Sequence, residues 1–140
     1  MRTPSVCNLL HTASRAHKPS SSPITDIFHP NGKPRRRLPY SNGFGGLFLL
    51  AFAGQRAAEA FYDALPCAKG PSLGTNFTLA CPYTILAHYG ELDLAAQYGV
   101  PVSLVRVSIG LEDAGWLPKV FADALKVAED AHRAESYAGA

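Results

Sequence analysis

Apolar positions along the 140-residue chain change their spacing near residue 40. Beyond it, "GLFLLAFAG" is a continuous apolar run of strand length, which predicts a buried strand over Leu47–Phe52. In "GQRAAEAFYDAL", residues Ala57, Ala58, Phe61, Tyr62 and Leu65 recur at helical spacing and give one apolar face, and Pro66 ends it. A short strand-like piece follows at Ala68–Lys69, then a stretch of Gly, Pro and small hydroxyl residues, then the mixed apolar segment "FTLACPYTILAHYG". "ELDLAAQYG" reads as a short helix closed by Gly99. "VPVSLVRVSIGLED" reads as a strand, and a last helix is predicted from about Ala114 to Glu135. Its N-cap is Asp113, Pro118 lies near its first turn, and Leu117, Val120, Phe121, Ala124 and Ala128 form its buried stripe. Before residue 40 the pattern supports only a weak helix over "SVCNLLHTASRAH" and a strand at "ITDIFH". The predicted order is β–β–α–β–α–β–α, an α/β class in which a small sheet is covered by helices on one side.

Composition sharpens the break at residue 40. Residues 1–40 carry six of the 11 prolines and seven of the 13 Lys and Arg, with one acid, Asp26. The remaining hundred residues carry six basic and ten acidic residues, so the net charge of +2 hides two different kinds of sequence. The chain divides into 1–39, a Pro- and Arg-rich linker with a partial helix and a short strand; 40–135, the folded domain; and 136–140, a tail. Hydrophobic content of 47% and charged content of 17% suit one globular domain. Arg35 to Arg37 form a basic run, but without a helix to present it or interleaved aromatics, a nucleic-acid partner is not expected. The longest apolar run falls well short of the roughly 20 residues a membrane helix needs, so no membrane partner is expected and the cytoplasm is the expected location. The cysteines Cys7, Cys67 and Cys81 form no C-x-x-C pair, which argues against a zinc site and for packed, reduced thiols.

The candidate chemistry lies in the strand. Side chains alternate faces, so Val105, Val107 and Ile109 suit a core, while Leu104, Arg106, Ser108 and Gly110 line the opposite face. Arg106 therefore sits in the middle of an apolar strand, pointing away from the core. One reading is an exposed strand arginine or a partner for a nearby acid such as Glu112. The other is an anion site, because guanidinium presents paired donors that match a carboxylate. "PSLGT" supplies a companion loop: Ser72 opens it, and Gly74 is expected to allow close backbone approach.

"GFGGLFLLAF", "AAEAFYDAL", "AKGPSLGTNFTLA" and "YGVPVSLVRVSIGLED" together resemble the C-terminal domain of the Cys/Met-metabolism enzymes that depend on pyridoxal phosphate, the trans-sulfuration family. "GTNFTLACPYTILAHY" is most similar to the fungal cystathionine γ-synthase-like branch. The resemblance spans about residues 24–135 and rests chiefly on "SLG" followed by "LVRVSIGLED", with Arg106 34 residues after Ser72. It implies a small, mostly antiparallel sheet with helices on one face, a homo-oligomeric enzyme, and γ-replacement or γ-elimination on homoserine-derived or sulfur amino acids. It implies that Arg106 grips the substrate α-carboxylate, with Ser72, Leu73 and Gly74 beside it. Leu86-Ala87-His88 stands where the family tends to have M-T-H, which removes a hydroxyl.

The family's Schiff-base lysine in an S-x-T-K context, its aspartate at the pyridine nitrogen and its ring over the cofactor belong to a preceding large domain. None of Lys18, Lys33, Lys69, Lys119 and Lys126 stands in that context. The resemblance thus implies that this chain holds no catalytic and no cofactor-binding residue and does not catalyse by itself, as expected of a truncated gene model, an exon product or a remnant. A non-catalytic ligand-binding or protein-interaction module is the alternative.

Overall fold

A computed structural model describes residues 22–28 and 46–138. The basic run and the upstream helix expected over "SVCNLLHTASRAH" lie outside the described residues. Five strands form one sheet in the order β1-β2-β5-β4-β3. They are β1 (Ile24–Phe28), β2 (Leu47–Phe52), β3 (Ala68–Lys69), β4 (Leu79–Pro82) and β5 (Leu104–Ser108). Every pairing is antiparallel except the two-residue β3–β4 contact at the edge. The expected strand with Arg106 at its middle is therefore the central strand, flanked by β2 and β4.

The helices are α1 (Gln55–Ala64), α2 (Tyr83–His88), α3 (Leu92–Gln97) and α4 (Trp116–Ala138), with a 3-10 turn at Tyr89–Glu91. Helices α1 and α4 pack on one face of the sheet, over Phe48, Leu50, Val105 and Val107. Four phenylalanines tie the layers together: the rings of Phe48 and Phe121 lie 6.1 Å apart, Phe61 and Phe121 6.1 Å, and Phe52 and Phe61 5.0 Å. The stripes expected on α1 and α4 are those that face the core, with Leu125 added and Val120 at its margin. Asp113 caps α4 as expected: its Oδ1 accepts the backbone N–H groups of Gly115 and Trp116, each at 2.9 Å. The helix starts at Trp116 rather than Ala114 because this cap includes both residues.

Two elements differ from the expected order. The mixed segment holds a strand, β4, which runs directly into α2 at Pro82–Tyr83. Pro82 donates no hydrogen bond and so ends the ladder, and it stands at the N-cap of the helix that follows. Gly99 closes α3 as expected, with φ +75° and hydrogen bonds from Gly99 N to Ala96 O and Val100 N to Ala95 O.

Candidate functional site

Strand β5 carries two sets of side chains. Val105 and Val107 enter the core. Arg106 faces the other way, opposite Leu49 on β2 and Cys81 on β4. A central strand with both neighbours bonded holds a side chain at fixed height and direction, which suits a guanidinium that must meet a ligand in two-point geometry.

The Arg106 guanidinium donates from Nη2 to the carbonyl of Pro71, the residue that precedes Ser72. It lies over the Tyr83 ring, with Cζ 5.1 Å from the ring centre. The Cys81 thiol is its third neighbour: burial pushes that thiol up, and the adjacent Arg106 opposes part of the rise. The structure thus places Arg106 against Pro71, the residue that leads into the Ser72–Leu73–Gly74 loop. Ser72 and Leu73 are exposed. Tyr83, one side of the guanidinium's setting, was not anticipated; it follows Pro82 at the strand–helix junction, and only the sheet register brings it to Arg106.

Two expectations need correction. Glu112 is not the partner of Arg106. Its carboxylate accepts the Thr78 backbone N–H and, at 2.7 Å, the Thr78 hydroxyl. Burial favours the protonated acid, but these bonds and those from the N–H groups of Glu112 and Gly110 outweigh it, holding the carboxyl below its ordinary value. Gly74, in turn, is not required by close packing, since a Cβ there meets nothing within 4 Å. It is required by its backbone, φ +69°, and it directs its N–H to the Ser108 hydroxyl at 3.3 Å.

Close approach occurs instead at Gly110, where a Cβ falls 2.4 Å from the Phe77 carbonyl carbon. The alternate residues Arg106, Ser108, Gly110 and Glu112 therefore meet Pro71, Gly74, Phe77 and Thr78 in order. The β5 strand and its extension thus meet the 71–78 loop at four points along one row of alternate residues.

His88 lies at the far side of Tyr83, its ring centre 5.9 Å away and nearly perpendicular, with Nδ1 2.9 Å from Glu91 Oε1. Among the described residues, no group of three or more His, Cys, Asp or Glu is placed to hold a metal ion. No helix among them is long and apolar enough to cross a membrane.

No family model matches the chain. It is 57% identical over 94 residues to cystathionine γ-synthase of Neurospora crassa, covering 67% of this chain and 15% of that protein. It is 44% identical, over an alignment of 143 residues, to a cystathionine γ-synthase-like enzyme of Amanita muscaria, covering 90% of this chain and 24% of that enzyme. The chain therefore spans less than a quarter of the length of these relatives. Among solved structures, cystathionine γ-synthase from Xanthomonas oryzae pv. oryzae in complex with aminoacrylate and cysteine matches 90% of this chain and 33% of its own, with TM-score 0.68 and 23% identity. Yeast cystathionine γ-lyase matches 89% and 34%, with TM-score 0.65 and 22% identity. Over the stretch it spans, this chain is a homologue of fungal cystathionine γ-synthase-like proteins, with the fold of the cystathionine γ-synthases and γ-lyases.

Proposed function

We propose that this chain is the C-terminal substrate-binding part of a PLP-dependent trans-sulfuration enzyme, and that Arg106 and the Ser72–Gly74 loop bind the α-carboxylate of its amino-acid substrate. The observation that carries the reading is a guanidinium fixed on a central strand, beside a glycine loop with an exposed serine. The Pro71 carbonyl and the Tyr83 ring orient the guanidinium, and its remaining N–H edge meets the carboxylate. Ser72 adds a hydroxyl donor. The bound substrate is then held by its carboxylate, with Cα directed to the reacting centre. The implied chemistry is γ-replacement or γ-elimination on a homoserine-derived or sulfur amino acid, in a homo-oligomeric cytoplasmic enzyme.

PLP, when bound, withdraws electrons from the substrate Cα. The described residues do not fit its attachment. Lys69 donates to the carbonyls of Tyr62 and Leu65 and lies 4.2 Å over the Tyr62 ring; Lys126 pairs with Asp123; and Lys119 is exposed on α4. The 140-residue polypeptide by itself is expected to be inactive.

The test is Arg106→Ala in the native protein. Losing a paired, charge-assisted contact of about 3 kcal/mol is expected to raise KM for the amino acid by roughly a hundredfold, with cofactor binding intact. An unchanged KM refutes the carboxylate role.

A further inference from the structure

The 71–78 loop has little else to hold it. Ser72, Leu73, Gly74, Asn76 and Phe77 are exposed, and the Thr75 hydroxyl bond to Phe77 O, 2.6 Å, is local. Its conformation rests on the row along β5 and on Leu111 N–H, which donates to Asn76 O at 2.9 Å. At the near end of the row, Arg106 meets Pro71. At the far end, Thr78 is buried, and its hydroxyl accepts Gly110 N–H at 3.0 Å while donating to Glu112. At that end the ionised Glu112 carboxylate makes both of its bonds to Thr78 charge-assisted, as the Arg106 guanidinium does at the other. Its side chain is outside the apolar core cluster.

We propose that Glu112 is a positioning residue: by holding Thr78 it fixes the Ser72–Gly74 loop against Arg106 and thereby sets the affinity for the substrate carboxylate. This rests on the carboxylate reading above. The loop is pinned at both ends, and releasing its far end lets Ser72 and Gly74 move away from Arg106 although neither touches Glu112. The arrangement also gives the "S-I-G-L-E" part of the strand motif a single physical purpose. Ser108 receives Gly74, Gly110 makes room for the Phe77–Thr78 backbone, and Glu112 locks Thr78.

The experiment compares Glu112→Ala, Glu112→Gln, Thr78→Val and Arg106→Ala in the native protein. It reads kcat and KM for the amino-acid substrate, and hydrogen–deuterium exchange in a peptide spanning 70–80. For Glu112→Ala, exchange in that peptide is expected to quicken by about tenfold or more and KM to rise by about tenfold, with kcat within about twofold. Glu112→Gln, whose amide oxygen still accepts from Thr78, is expected to recover part of both effects. Thr78→Val combined with Glu112→Gln is expected to cost less than the sum of the two single changes. Should Glu112→Ala fail to fold, the Gln and Val variants carry the comparison. Faster exchange with unchanged KM overturns the proposal and leaves Glu112 with a structural role only. A raised KM with unchanged exchange overturns the latch. A KM unmoved by Glu112→Ala but raised by Arg106→Ala rejects only the role of Glu112. A KM unmoved by Arg106→Ala rejects the carboxylate reading, and the proposal falls with it.

Discussion

Gly110→Ala gives the most direct measure of how tightly β5 grips the loop. A Cβ at Gly110 lies 2.4 Å from the Phe77 carbonyl carbon, 2.5 Å from Phe77 Cα and 2.6 Å from Thr78 N. All three are backbone atoms, so no side chain can rotate aside. Restoring ordinary contact requires the two backbones to separate by about 1 Å. That separation takes the 2.9 Å bond from Leu111 to Asn76 and the 3.0 Å bond from Gly110 to Thr78 Oγ1 out of hydrogen-bonding range. It also weakens the charged pair of bonds between Thr78 and Glu112. Two neutral bonds at about 1 kcal/mol each and a charge-assisted contact at about 2 give a destabilisation of about 3–5 kcal/mol. Set against a domain stability of about 5–15 kcal/mol, this is a large fraction. Urea unfolding of the native protein reads it as a lowered midpoint at unchanged m. Gly90→Ala is the internal control, because a Cβ there meets nothing within 4 Å and the backbone is not left-handed. It is expected to change stability by no more than about 0.5 kcal/mol. A Gly110→Ala loss below about 1 kcal/mol, or one equal to that of Gly90→Ala, refutes the close-approach reasoning.

Phe61→Ala opens a cavity between Phe52 and Phe121 and is expected to lower the unfolding free energy by about 3–5 kcal/mol, read in the same denaturation experiment. Because the folded Glu112 carboxyl lies below its ordinary value, its contribution is fully present above the unfolded pKa of about 4.3 and is lost as pH falls through the lower folded value. The stability gap between the wild type and Glu112→Gln is therefore expected to be constant near neutrality and to close in acid; a gap that widens in acid reverses the assigned sign. Cys81 is buried and Cys67 half-buried, with burial pushing both thiols up, so alkylation is expected to be slow at neutral pH for both and slower at Cys81. Mass mapping that finds Cys81 modified first contradicts this. PLP added to the purified 140-residue polypeptide is expected to give no absorption band of a lysine-bound cofactor, and a stoichiometric band refutes the proposed division of labour.

The parts of the fold legible in the sequence are those with a clean period. β2 is one apolar run, the α1 and α4 stripes repeat at helical spacing, and β5 alternates between core and Arg106 faces; each is found where the pattern puts it. β4 was not legible because its four residues end in Pro82 and continue at once into α2, so strand and helix periods merge without a turn between them. Arg106, Ser72 and Gly74 were legible as residue types. Tyr83 was not, since its approach to Arg106 comes from the pairing of Cys81 with Arg106, a register between strands distant in sequence. The reading that offered Glu112 as a partner for Arg106 fails for a related reason. Proximity in sequence suggested a pair, but Glu112 reaches Thr78, 34 residues away, across the sheet.

The same spacing recurs through the motif: Gly74 to Ser108 and Thr78 to Glu112 are each 34 residues apart, and Pro71 to Arg106 is 35. The contacts follow β5 and its extension from Arg106 to Glu112, and side chains make them beside the backbone bond from Leu111 N to Asn76 O. This row leaves the exposed Ser72 hydroxyl for an anion while the Gly74 N–H is held by Ser108. It also explains why polar and small residues occupy every second place from Arg106 to Glu112. An apolar residue at Ser108 or Glu112 leaves Gly74 or Thr78 unpaired, and any residue larger than glycine at Gly110 pushes the loop away. The charge in the middle of an apolar strand is thus the first member of a row, and each later member keeps the loop within reach of it.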